Sequence, residues 1–469
     1  VSCYLLQDII VSDHAFSQLA LPAPLLDCLT SLEYHEMTPV QAQSLPAILA
    51  HRDVIAQAKT GSGKTAAFAL GLLAKLDVKR FRIQSLVLCP TRELAEQVAA
   101  EIRTLARNIH NIKVLTLCGG VPTRSQIVSL EHGAHIIVGT PGRILDHLQQ
   151  QRLNLTDLST LVLDEADRML EMGFADALNA ILAEVPAKRQ TLLFSATFDK
   201  AVRQIADNIM HEPLTVTVDA PHTQSTIEQQ FYQLDGCPRV NAVCLLLHKF
   251  QPVSTVVFCN TRRETQELAD TLKQQGVSVI ALHGDLEQRD REHALLKFSN
   301  NSVSVLVATD VAARGLDIEK LDVVINYQLA HDVATHTHRI GRTGRAGNSG
   351  IACSLISPDD GHKLAALAQQ LALDINVQPL PDKTVLQHAL PQPLMQTLQI
   401  DGGKKHKLRA GDIVGALTST KSIAFADIGK IQMLDTVAFV AVSNKVAKQA
   451  LALLNDGNMK GKKYRVWRL

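Results

Sequence analysis

The sequence has no uninterrupted apolar run of about 18 residues, the length a bilayer-crossing helix requires, and this argues against a membrane-spanning chain. Its 8 cysteines include no C-x-x-C pair and no histidine at matching spacing, so neither a zinc knuckle nor a disulfide framework is expected. Scattered thiols fit a reducing, cytoplasmic setting. Low-complexity tracts, short tandem repeats and zipper-like heptads are missing as well, and a monomer is the expectation. The apolar stretch at residues 1–11 lacks a leading Lys or Arg and a small-residue cleavage pattern, and reads as a short extension rather than a signal peptide.

Net charge is nearly absent too, at +1, yet it is unevenly spread. Residues 380–469 carry 14 Lys and Arg against 6 Asp and no Glu, a surplus of +8 that leaves −7 for the rest of the chain. A basic tail on a mildly acidic body points to a polyanion bound at the tail. With 469 residues, 46% apolar and 20% charged, the chain has room for about three domains with cores of their own.

From about Ser12 to Val218, short apolar runs (Ser85 to Cys89, His135 to Val138, Thr160 to Leu163) alternate with longer helical patterns such as Arg92 to Asn108. Continuous apolar strands separated by helices indicate a parallel sheet covered on both faces. The rhythm restarts after Thr226, with strands expected at Thr255 to Cys259, Val277 to Ile280, Val303 to Val307 and Val323 to Asn326. The expected bodies are therefore residues 12–217 and 227–378. The polar, proline-bearing segment 218–226 is the linker between them. A proline-rich connector, 379–395, leads to a third domain at 396–469. Its pattern is βαββαβ: strand Gln396 to Ile400, helix Gly411 to Leu417, strands around Ile428 to Gln432 and Val437 to Val442, helix Ser443 to Leu454, strand Tyr464 to Trp467.

The stretch Ala58 to Thr65 lies between an apolar strand, Val54 to Ala56, and a helix starting near Ala66. Thr60, Gly61, Ser62 and Gly63 let backbone N–H groups close around an anion at a helix N-terminus. Lys64 can reach the β and γ phosphates of a nucleotide, and Thr65 can ligate magnesium. About a hundred residues on, Asp164 and Glu165 end another apolar strand. Asp164 suits a magnesium ligand, and Glu165 suits the group that orients and deprotonates an attacking water. Each feature alone fits an ordinary turn; the pair argues for ATP and Mg2+.

Asp164-Glu165-Ala166-Asp167 resembles the signature of the DEAD-box RNA helicases, and the family's other motifs follow in order over residues 16 to 345. The resemblance implies two tandem RecA-like parallel-sheet domains in an α/β fold, plus a C-terminal RRM-like α+β domain. Phe16 resembles the aromatic that stacks on adenine, and Gln41, in Thr38-Pro39-Val40-Gln41, the amide that reads its edge. Glu33 and Tyr34 stand where the family has Gly and Phe, a departure expected to alter a turn. The loops with Thr91 and Arg92, Gly120, and Thr140 and Arg143 resemble grips on an RNA sugar-phosphate backbone, contacts that position a strand without reading it. In the second domain Thr261, Gly284, Gln288 with Arg291, and Thr309 resemble further grips, and Asp317 a ribose contact. Ser195, Thr197, Asp167 and His338 resemble the residues that couple phosphate chemistry to strand separation. By resemblance Arg342 and Arg345 are arginine fingers, worth about 10³ to 10⁵ in rate when the domains close.

In the tail, Lys404, Lys405 and Lys407 flank the first expected strand, and Lys460, Lys462, Lys463, Arg465 and Arg468 lie near the last; both groups can form one phosphate-neutralising surface. Phe439 is the one aromatic at a site where RNA-recognition sheets stack bases, so recognition of a structured hairpin by shape and phosphates is expected. The segments Ile400 to Lys405 and Ala426 to Lys430 resemble the bacterial DbpA subgroup. That implies a 23S rRNA hairpin near the peptidyl-transferase centre as partner, with large-subunit assembly intermediates. Two rivals stay open: an ATP-gated RNA clamp that does not unwind, which Glu165 and the arginines argue against, and a DNA helicase.

Overall fold

The computed structural model describes residues 14–58, 61–198, 200–218, 227–313, 321–344, 350–371, 374–390, 392–420 and 422–469. The expected extension at 1–11, nearly all of the expected linker, Thr60, Asp317 and Arg345 lie outside them. The described residues form two compact units, 14–218 and 227–469.

The first unit is built on seven parallel strands: β1 (Val54–Gln57), β2 (Ser85–Leu88), β3 (Val114–Leu117), β4 (Ile136–Gly139), β5 (Thr160–Asp164), β6 (Gln190–Ser195) and β7 (Leu214–Thr217). Their order across the sheet is β3-β4-β2-β5-β6-β1-β7. Successive side chains in a strand point to opposite faces, and here both faces are apolar. Val54, Val87, Val162, Leu192 and Phe194 pack with helices Pro39–Leu49, Lys64–Lys75 and Arg92–Leu105, while Ile55, Leu86, Leu88, Leu161 and Leu193 pack with Pro141–Gln149, Ala175–Glu184 and Lys200–Ile209. That double burial is why the strands read as unbroken apolar runs.

The second unit opens with β8 (Ile227–Gln233), β9 (Thr255–Cys259), β10 (Val279–Leu282), β11 (Val305–Thr309), β12 (Val323–Asn326), β13 (Gly350–Ile356) and β14 (Val377–Pro379), again seven parallel strands, ordered β10-β11-β9-β12-β13-β8-β14. The strands expected at Val277 to Ile280 and Val303 to Val307 each lie two residues further on. The expected connector is not loose chain. Leu380 and Leu390 pack on the core beside β9 and β12, and the His388 carbonyl lies 2.8 Å from His248 Nδ1.

The tail follows as β15 (Met395–Ile400), helix Ala410–Thr418, β16 (Ile428–Met433), β17 (Ala438–Ser443), helix Ala447–Asp456 and β18 (Val466–Arg468), which is the βαββαβ order. Its antiparallel sheet runs β16-β17-β15-β18. Leu398, Ile400, Val440, Val442 and Val466 face the two helices and form this domain's own core. The second helix starts at Ala447, later than expected, because residues 444–446 form the turn that leaves β17. Among the described residues, no helix is long and apolar enough to cross a membrane.

Candidate functional site

β1 feeds the glycine loop, which ends at Gly63 with φ +91° as the cap of helix Lys64–Lys75. A Cβ at Gly63 would lie 2.6 Å from Gln41 Nε2, so the loop closes this tightly only with glycine. Gln41 braces it: Nε2 donates to the Gly63 carbonyl at 3.0 Å, and Oε1 accepts from Thr38 N at 2.8 Å. Lys64 is 7% exposed and donates from Nζ to the Ala58 carbonyl at 2.7 Å. Thr65 is the next residue of the same helix turn. Ser62 Oγ is buried without a hydrogen-bond partner among the described residues.

Asp164 ends β5, 3% exposed, and its carboxyl is pushed up to about 7 by burial and by the neighbouring Glu165, with the Lys64 ammonium pulling the other way. Glu165 turns the chain at φ +53°, the left-handed region, which costs a non-glycine residue about 1 kcal/mol and holds it in one position before helix Ala166–Glu171. Asp167 Oδ2 accepts from both N and Oγ1 of Thr197 at 2.9 Å, and Ser195 Oγ accepts from Asp167 N at 3.4 Å. The residues of the first domain expected to couple hydrolysis to strand separation are thus joined by hydrogen bonds at the ends of β5 and β6. The donor set fits a magnesium nucleotide: an open hydroxyl, a buried lysine, and a carboxyl near neutrality that a cation would hold ionised.

Phe16, whose expected role is stacking on adenine, is 3% exposed and belongs to the same core cluster as Leu25, Leu29 and Val40. The turn expected to change at Glu33 also keeps the conformation glycine favours, with Glu33 at φ +60° and Tyr34 41% exposed.

Neighbouring strands β3, β4 and β2 end in the loops expected to grip RNA. Thr91 caps helix Arg92–Leu105, its hydroxyl accepting from Leu94 N at 3.2 Å, and Arg92 pairs with Glu96 at 2.8 Å. Gly120 turns at φ +73°, Thr140 precedes helix Pro141–Gln149, and Arg143 donates to the Val121 carbonyl at 3.3 Å. Strands β5, β6 and β1, the other side of the sheet, carry the nucleotide loops, so the C-terminal edge divides into two halves.

The second sheet repeats the RNA half. Thr261 follows β9 and caps helix Arg262–Gln274, accepting from Glu264 N at 3.2 Å; Gly284 follows β10 beside the Arg262–Asp285 pair; Thr309 ends β11 and accepts from Ala312 N at 3.4 Å. Sequence reasoning missed Arg339. It is 1% exposed and binds Asp310 through Nε and Nη2 at 2.6 and 2.7 Å, Asn260 Oδ1 at 2.7 Å and the Gln328 carbonyl at 2.8 Å. One guanidinium thereby ties the loops after β9, β11 and β12 together. It stands in a run of arginines, where a structural one looks like the neighbours expected to act as arginine fingers. His338 precedes it with Nδ1 lacking a partner among the described residues, and Arg342 follows the same helix, Val333–Ile340.

At one end of the tail sheet the two lysine groups meet. The Lys404 and Lys405 amides donate to the carbonyls of Leu434 and Asp435 at 2.8 Å, and Lys460 Nζ donates to the Lys407 carbonyl at 2.8 Å. A Cβ on Gly403 would lie 2.3 Å from the Leu434 carbonyl, so the approach of these loops requires glycine. Lys407 and Lys460 both sit at positive φ, +59° and +53°. The Tyr464 hydroxyl is buried there without a hydrogen-bond partner among the described residues.

A phosphate loop, an acid pair on the adjacent strand half and a twin sheet define a helicase-type P-loop ATPase, and comparison with known proteins agrees. Residues 38–205 match the DEAD/DEAH box helicase family, 238–347 the helicase conserved C-terminal domain, and 397–468 the DbpA RNA binding domain. The chain belongs to the DEAD-box ATP-dependent RNA helicases, RNA-stimulated ATPases that bind ATP and RNA. It is 51% identical to the ATP-dependent RNA helicase DbpA of Escherichia coli (strain K12) over 96% of this chain and 99% of that protein. It is 42% identical to the DEAD-box ATP-dependent RNA helicase CshA of Bacillus subtilis (strain 168) over 76% of this chain and 72% of that one. Among solved structures it resembles S. cerevisiae Dbp5 bound to RNA and ADP BeF3, with TM-score 0.70 and 31% identity, covering 80% of this chain and 99% of that one.

Proposed function

We propose that the chain remodels ribosomal RNA locally, in the cytoplasm and as a monomer, by binding a 23S rRNA hairpin near the peptidyl-transferase centre with its tail and separating neighbouring helices during large-subunit assembly. The observation that carries this reading is the joining of both lysine groups at one end of the tail sheet, with strained Lys407 and Lys460 linked at 2.8 Å. Strain persists where surroundings over-determine it, and functional sites collect it. The ribosomal address is what the resemblance to the DbpA subgroup implies, and the end-to-end similarity to E. coli DbpA supports that resemblance.

The nucleotide half supplies the chemistry. Lys64 binds the phosphates, and Glu165, fixed by its left-handed turn, takes the proton of the attacking water. Thr65 and Asp164 would hold Mg2+, which when bound neutralises charge on the β and γ phosphates. Arg342 and Arg345 add transition-state charge when ATP and RNA bring the domains together, and Asp317 contacts the ribose. Phosphate contacts from Thr91, Arg92, Gly120, Thr140 and Arg143 in one domain and Thr261, Gly284 and Thr309 in the other hold a single bent strand. The Asp167–Thr197 hydrogen bonds and His338 couple hydrolysis to release.

The test is ATP turnover by the full chain with RNA carrying the hairpin and with the same RNA lacking it. Lys404→Glu with Lys405→Glu and Lys407→Glu should weaken hairpin binding by about 10²-fold or more at low salt and flatten its salt dependence. Turnover on saturating unstructured RNA should persist. Equal stimulation by both RNAs in the unaltered chain would remove the address; activity on DNA, or hydrolysis without strand displacement, would favour the rival readings.

A further inference from the structure

Each parallel sheet ends on its RNA side in an outermost strand, β3 in the first and β10 in the second, and each of these strands feeds an exposed glycine turn. Gly119 and Gly120 follow β3, and Gly284 follows β10. Among the described residues none of these three glycine amides has an internal acceptor, so each N–H can donate to an anion. A glycine has no side chain to hold its own turn in place, and the direction of such an amide is set by what surrounds it.

In the first sheet the turn is held from two helices. The Leu117 and Val121 carbonyls accept from Thr140 N at 3.1 Å and from Arg143 Nη1 at 3.3 Å. Between them the Cys118 carbonyl, directly before the glycines, accepts from Gln126 Nε2 at 2.9 Å. Gln126, 5% exposed, stands on helix Thr123–Glu131, and its Oε1 lies 3.2 Å from Nε2 of the fully buried His147 on helix Pro141–Gln149. With the amide nitrogen committed to a carbonyl, Oε1 can only accept, so His147 carries its proton on Nε2. Burial holds His147 below its usual pKa against the pull of the Asp146 carboxylate, and the ring is neutral at about pH 7. The second sheet repeats the pair in another order. His283, directly before Gly284 and 6% exposed, has Nε2 2.9 Å from Oε1 of Gln266 on helix Arg262–Gln274. Gln266 Nε2 donates to Asp270 Oδ1 at 2.9 Å, so here too the amide oxygen accepts and the ring donates. In both histidines Nδ1 is buried without a hydrogen-bond partner among the described residues. A desolvated ring nitrogen is a cost, and its recurrence beside both glycine turns shows that the Nε2–H donor is what each position uses.

We infer that Gln126 with His147, and Gln266 with His283, are positioning residues: each glutamine–histidine pair fixes the residue before a glycine turn, and so aims the unpartnered glycine amides at the phosphates of an RNA strand. The inference rests on the reading that these turns grip RNA. Amides set in advance bind a phosphate without first being ordered, whereas a loose turn is ordered at the expense of affinity.

The test uses the full chain with a single-stranded RNA that has no hairpin. Gln126→Met and Gln266→Met keep the side-chain volume and lose the hydrogen bonds; His147→Phe loses the ring donor, and His147→Gln restores a donor at similar reach. Each glutamine variant should raise the RNA concentration for half-maximal ATP turnover about tenfold, and His147→Phe about fivefold, while turnover at saturating RNA and KM for ATP stay within about twofold. His147→Gln should stay within about twofold of the unaltered chain in all three quantities. A variant that merely weakened the fold would instead lower turnover and leave the RNA requirement in place. That pattern, an unchanged RNA requirement in either glutamine variant, or His147→Gln as impaired as His147→Phe would each overturn the inference. Hydrogen exchange of the unaltered chain tests the premise separately: RNA should slow exchange at Gly119, Gly120 and Gly284, and unchanged exchange there would strike the reading of the turns as RNA grips.

Discussion

The two parallel sheets are wound alike: β3-β4-β2-β5-β6-β1-β7 and β10-β11-β9-β12-β13-β8-β14 are the same path. Their RNA halves match down to the caps, with Thr91 and Thr261 each accepting from an amide three residues on at 3.2 Å. Their other halves differ at the helix that follows the first strand of each sheet. Lys64 opens the helix after β1 and faces Asp164 through a glycine loop. Arg239 opens the helix after β8, but its guanidinium is committed to the carbonyls of Tyr327 and Leu355 at 2.5 and 3.1 Å and to Asp360 at 3.2 Å. The same scaffold thus holds an anion-ready cation in one copy and a self-satisfied cation in the other, and function follows the loops grafted on the fold.

The largest expected effect sharpens this contrast. Lys64→Ala should cut RNA-stimulated ATP turnover by about 10²-fold or more, whereas Arg239→Ala should cost the second sheet about 3 kcal/mol by removing the cation beside Asp360, which keeps only its Ser357 hydrogen bonds, and the donor to the Tyr327 and Leu355 carbonyls, read by denaturant unfolding. A turnover loss in Arg239→Ala without destabilisation would break the comparison.

Next comes pH. His336 is 2% exposed, its Nε2 lies 3.1 Å from Gln229 Oε1 on β8, and burial, with Arg339 adding, pulls its pKa down to about 4. The folded-state value lies below the unfolded 6.5, so the unfolded chain takes the proton first. Stability is therefore full above about pH 6.5 and falls toward pH 4, by on the order of 3 kcal/mol. Amide exchange in β8 and β13 should report this loss, and His336→Phe should flatten it; in the first unit burial also lowers the pKa of His135 and His147. The smallest effect tests the likeness itself. Thr91→Ala and Thr261→Ala should each cost about 1 kcal/mol as lost helix caps. Unequal costs of more than about twofold would show that the RNA halves are less alike than their geometry.

The strands were legible because both faces of each sheet are buried, which leaves continuous apolar runs, and the glycine loop with its distant acid pair was legible because phosphate chemistry demands those residue types. Edges were less so: the apolar run around β10 continues upstream through Val277, which is itself buried, so nothing local fixes the strand's start. Arg239 and Arg339 were invisible because an arginine satisfied inside the fold is written like a solvated one. Phe439 was read as the one aromatic at a base-stacking site, and its edge-to-face contact with His293, far upstream, follows from tertiary packing that no local pattern shows.

Division of the ATP chemistry between unlike halves is tested most directly by single-turnover hydrolysis in Arg342→Lys, with nucleotide affinity measured alongside. The account predicts unchanged nucleotide binding and hydrolysis slower by about 10³-fold with saturating RNA, since a lysine does not reproduce a guanidinium fork. Hydrolysis at the unaltered rate would contradict it, because the first sheet would then need nothing from the second.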